Sequence, residues 1–124
     1  MPIIIDTDPE QDLTIFKATG TLEFNELLSV VKHFYAGKPT LNVLLDLTEV
    51  PSVQITTDEI RELAGFKPRF ESKRPPGKTA ILGTSDLVFG LARMFETQSE
   101  IMDVPHAVRV FKKLAMAMSW LDSS

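Results

Sequence analysis

Cysteine is absent from the 124-residue chain. That removes disulfide frameworks, thiolate catalysis, Cys-based zinc sites and iron–sulfur clusters together. Histidine is almost as scarce. His33 falls inside a helical pattern and His106 in a turn after Pro105, so no acid, base and nucleophile set can be assembled around an imidazole. None of the 6 glycines is spaced as a Walker or dinucleotide loop, which leaves no cradle for phosphates. Cations are outnumbered, 13 Lys and Arg against 17 Asp and Glu, giving a net charge of −4 and a pI near 5.1. Phosphate backbones are held by surplus Lys and Arg, so the balance argues against general nucleic-acid binding. No window reaches the ~18 apolar residues of a membrane span. The opening Met1-Pro-Ile-Ile-Ile-Asp6 lacks the basic region of a leader peptide, and the expected location is the cytoplasm.

What is present is enough apolar mass, 44% of residues, for one domain over 1–124 with a real core. Ile3–Ile5 and Leu13–Ala18 are β-branched runs flanking an acidic, Pro-containing stretch over 6–12, which predicts an antiparallel hairpin. Leu27, Leu28, Val31, Phe34 and Tyr35 then recur at helical spacing until Gly37 and Pro39, with Thr21 as the expected N-cap. Leu41–Leu47 is apolar on both faces, as a covered central strand should be. A helix from about Thr56 buries Ile60, Leu63 and Ala64, and Pro68 ends or kinks it. Thr79–Gly83 reads as a strand, and Ser85-Asp86 opens a helix with a stripe of Leu87, Leu91, Met94 and Phe95. Ala107–Phe111 is the last strand. The closing helix uses Leu114, Met118 and Leu121 beside Trp120, behind a weak start at Lys112 and Lys113. The order ββαβαβαβα predicts an α/β fold: a mixed five-stranded sheet with four helices, parallel except for its N-terminal hairpin.

Four passages carry a family resemblance: Leu13-Thr-Ile-Phe-Lys-Ala-Thr-Gly-Thr21, Val43-Leu-Leu-Asp-Leu47, Asp86-Leu-Val-Phe-Gly-Leu-Ala-Arg-Met-Phe95, and Val110-Phe111 with Ala117-Met-Ser-Trp-Leu121. With this element order the chain resembles the STAS domain of bacterial anti-sigma-factor antagonists, and more closely the SpoIIAA-like family. The resemblance spans nearly the whole chain and implies a non-enzymatic regulatory module with a protein partner. None of the four passages is a catalytic signature.

In phosphorylation-switched STAS antagonists an Asp-Ser-Ser-Gly-like turn follows the central strand, and its serine caps the next helix and accepts phosphate. Here Asp46-Leu47-Thr48 and Val50 match the approach, but Gln54-Ile55-Thr56-Thr57 replaces the turn. Only Thr56 keeps a hydroxyl near the acceptor position, with Thr57 beside it. Thr56-Thr-Asp-Glu59 is also a capping box, which explains the threonines without regulation. If phosphate landed on Thr56, it would replace the cap hydroxyl beside two carboxylates and remodel the turn by repulsion.

A second candidate is the basic segment over 67–78. Lys67, Arg69, Lys73, Arg74 and Lys78 stand there against the single acid Glu71, in a chain that is acidic elsewhere. Phe66 and Phe70 lie among these cations. The segment reads either as a flap over an apolar pocket, a docking patch for an acidic protein or anionic head group, or a solvated loop with two tucked phenylalanines. Ser85 sits at a strand-to-helix turn, but Leu87 replaces the last glycine of a nucleophile elbow, and an N-cap is the simpler reading. Asp6, Asp8, Glu10 and Asp12 alternate as oxygen ligands do, without the glycine and distal glutamate of an EF-hand. Neither metal nor cofactor is expected. Met94, Met102, Met116 and Met118 with Phe89 and Phe95 either fill the core or line an adaptable cavity. Gly90 costs about 1 kcal/mol inside its helix unless something approaches closely.

Two functions follow from these residues and the resemblance. The first is a protein-binding regulatory module, as monomer or homodimer, whose surface includes Thr56, Thr57 and the basic segment. The second is a carrier or sensor of a small apolar or amphipathic ligand beneath the Phe66 to Phe70 flap.

Overall fold

A computed structural model describes residues 3–64, 77–101 and 107–123. The β-branched N-terminal runs form β1 (Ile3–Asp8) and β2 (Leu13–Thr19), paired antiparallel as expected. The loop between them is shorter than its composition suggests, because Asp6 and Asp8 extend the strand. Asp8 Oδ1 accepts from the backbone amides of Glu10 (3.1 Å) and Gln11 (3.3 Å), and Asp12 takes a left-handed φ of 51°. These local bonds turn the chain without a glycine.

Strands β4 (Asn42–Glu49), β6 (Lys78–Leu82) and β7 (Ala107–Phe111) then add in parallel, giving the sheet order β1-β2-β4-β6-β7. Each parallel crossover moves one strand further in the same direction. Crossovers of fixed hand that all move one way deliver their helices to one face. Accordingly α1 (Phe24–Ala36), α2 (Thr57–Ala64) and α3 (Asp86–Ile101) lie together, over Phe16, Val43, Leu47, Ile81 and Val108. Among the described residues the other face receives only α4 (Leu114–Asp122), which packs Ala117 and Leu121 onto Leu13, Leu44, Ala80 and Leu82. Two apolar cores, one on each side of the sheet, explain why the central strand reads as apolar throughout.

Two short strands were not expected. β3 (Leu22–Glu23) and β5 (Val53–Gln54) pair in parallel beyond the carboxyl ends of β2 and β4. Thr21 belongs to this junction rather than capping α1: its hydroxyl lies 3.0 Å from that of Ser52. The N-cap of α1 is Glu23, which makes no side-chain capping bond.

The expected stripe of α3 holds in part: Leu91 and Phe95 face the core side, half-buried. Val88, Ala92 and Ser99 are buried, whereas Leu87 is 57% exposed. Ser85 fixes this phase, since its Oγ accepts from the amide of Val88 at 3.2 Å and seats Val88 against Gly83. In α4, Leu114 is likewise exposed and Ala117 takes the core position.

Candidate functional site

The helices on the crowded face do not close completely over the sheet. Between α1, α2, α3 and strands β2, β4 and β6 lies an apolar cavity of about 150 Å³. Val43, Leu45, Thr79 and Ile81 form its floor. Its walls are Leu27, Val30, Val31, Phe34 and Tyr35 from α1, Ile60, Leu63 and Ala64 from α2, and Val88, Leu91, Ala92 and Phe95 from α3. Leu22, Val53 and Ile55, held by the small β3–β5 sheet, line it as well. Leu45 shows the effect on packing: it sits on the middle strand of five yet is only partly buried. Among the described residues the lining has no charged side chain, and Tyr35 and Thr79 carry its hydroxyls. Ser99 Oγ is buried without a hydrogen-bond partner among the described residues, but it is not part of this lining and gives the cavity no polar anchor.

Helix α2 connects the cavity to the threonines. Its inner side supplies Ile60, Leu63 and Ala64, while Thr56, Thr57, Asp58, Arg61 and Glu62 are exposed. The capping box is fully formed. The Glu59 amide donates to Thr56 Oγ1 at 3.1 Å, and the Thr56 amide donates to Glu59 Oε1 at 2.9 Å. Asp58 and Glu59 stand at the positive end of the helix dipole, and Arg61 reaches Asp58 at 3.4 Å.

The basic segment is only partly visible. Phe66, Lys67, Arg69, Phe70, Lys73 and Arg74 lie outside the described residues, so the flap expected there has no structural counterpart to report. Lys78 does, and it serves the fold. Its Nζ donates to the Trp120 carbonyl (2.8 Å), to Ser123 Oγ (2.7 Å) and to the Ser123 carbonyl, where it meets the negative end of α4. The ammonium also sits 5.4 Å from the Trp120 ring centroid.

None of the described methionines lines the cavity. Of the six residues proposed for it, Phe95 alone lines the cavity; Met116 is exposed and Met118 packs on the opposite face, while Met102 lies outside the described residues. Ser85 is engaged as a cap. Among the described residues no three His, Asp or Glu side chains are grouped to hold a metal ion. No described helix is long and apolar enough to cross a membrane. Lys17 is held above its ordinary value by the hydrogen bond and charge of Glu49 at 3.0 Å.

A solved structure from Shewanella loihica PV-4, an uncharacterized protein from the DUF3478 family with a SpoIIAA-like fold, superposes with a TM-score of 0.55. The match covers 96% of this chain and 91% of that one, at 21% sequence identity. The fold is SpoIIAA-like. No family model matches the sequence, and no curated protein matches it. The likeness is one of architecture, so the SpoIIAA-like framework locates the elements while function has to be argued from the side chains.

Proposed function

We propose that this SpoIIAA-like domain is a non-enzymatic binding module whose recognition site is the apolar cavity beneath α1, α2 and α3. The observation that supports it most directly is the incomplete cover over Leu45 and Thr79 at the middle of the sheet. Protein interiors pack to crystal-like density, and large voids are few. An unfilled apolar space there forfeits the contacts its lining would otherwise make, which a small apolar ligand restores.

A regulatory reading is favoured by a different feature. Thr56 and Thr57 are exposed at the start of a helix whose inner side walls the cavity. Phosphate on Thr56 would remove one capping bond and place charge beside Asp58 and Glu59, loosening α2.

Native mass spectrometry of protein purified gently from its own host reports both. The cavity reading expects a bound apolar mass and a fall in Tm when that mass is stripped. A phosphate adduct on Thr56 or Thr57 with no bound mass would shift the assignment to the regulatory reading. An unmodified apo mass with a Tm indifferent to extraction would count against both.

A further inference from the structure

Resting on the cavity reading, the geometry points to a ligand of one particular size and charge: we infer that the site takes a compact, uncharged hydrocarbon or aromatic molecule of about one ring, and not a long-chain fatty acid.

Volume sets the first limit. A cavity of about 150 Å³ lined by Leu, Ile and Phe stays dry and takes up benzene or xenon. The cavity here has about the same volume and the same kind of lining, with one side incompletely covered. A long acyl chain occupies several times that space. Most of such a chain would have to lie outside the cavity, beyond its incomplete cover.

Charge sets the second limit. An ionised carboxylate taken out of water needs a cation or several hydrogen-bond donors. The described lining offers no cation. Lys78, the one member of the basic segment among the described residues, is engaged at the end of α4 on the opposite face. A benzene ring meets neither obstacle, and Phe34 and Phe95 can meet its edge or face.

Thermal unfolding in the presence of benzene, benzoate and palmitate separates the cases, because the first two share a ring and differ in charge while the third differs in length. Benzene at about fivefold excess over its dissociation constant is expected to raise Tm by about 4 °C, with no rise from the other two. A rise with palmitate but not benzene would overturn the size limit and leave the cavity reading standing. Benzoate matching benzene would overturn the charge limit. No rise with any of the three would remove the cavity reading as well.

Location is tested by Ala92→Leu, which fills the space from α3 and is expected to weaken benzene binding at least tenfold. The unaltered protein provides a check that does not depend on that variant folding. With benzene, methyl NMR signals of Leu45, Ile60 and Leu91 should shift, and those of Leu44 and Leu121 should not. Shifts confined to the second pair would place binding on the wrong face and overturn the inference.

Discussion

At the scale of single residues, the side chains that end helices are the ones whose roles are settled over short distances. Thr56 and Ser85 each accept from an amide three positions ahead. Replacing Thr56 with Ala removes one of the two capping-box bonds and is expected to cost about 1 kcal/mol in chemical denaturation. An unchanged midpoint would mean that the Glu59 carboxylate alone secures the start of α2. Both caps were legible in the sequence because donor and acceptor lie within one turn. Lys78 was not legible as a structural residue. Its acceptors stand 42 and 45 residues away, so local composition grouped it with the cations of 67–78. Thr21 misled for a related reason: its hydroxyl is met by Ser52, 31 residues further on, before it can cap anything.

At the scale of elements, the strands and helices follow from periodicity, but the phase of a helix does not follow from residue size. Leu87 outranks Val88 and Ala92 as an apolar side chain, yet it is exposed while they are buried, and Leu91 is only half-buried beside the cavity. A Cβ on Gly83 would come within 2.9 Å of Val88 Cγ1, so the strand end and α3 approach too closely there for a side chain at position 83. Gly90 lies on the same helix in the opposite situation, exposed, with open space for an added Cβ among the described residues. Gly90→Ala should therefore raise stability by about 0.5–1 kcal/mol, read from the denaturation midpoint. A loss instead would reveal that a second subunit or a ligand presses against this turn. The cavity was not legible at this scale. Helices α1, α2 and α3 each contribute an ordinary apolar stripe, and the gap arises only from how three such stripes meet.

At the scale of the whole molecule, the sheet separates two apolar cores that have few reasons to communicate. Val30 belongs to the three-helix side and Leu121 to the α4 side. Leu121→Ala is expected to cost about 2–5 kcal/mol and Val30→Ala less, and the double variant should equal the sum within about 0.5 kcal/mol. A larger discrepancy by denaturation would show that the faces are coupled through the strands. The mixed five-stranded sheet was readable from the alternation of strands and helices, because right-handed connections leave few alternatives. The uneven sharing of helices, three against one, required knowing that every crossover advances the same way. That unevenness leaves one side of the sheet loosely covered and the other tightly held. Mutations can accumulate among α1, α2 and α3 while α4 and its lysine clasp keep the architecture intact, so descendants of one such chain can reshape the three-helix side without passing through an unfolded ancestor.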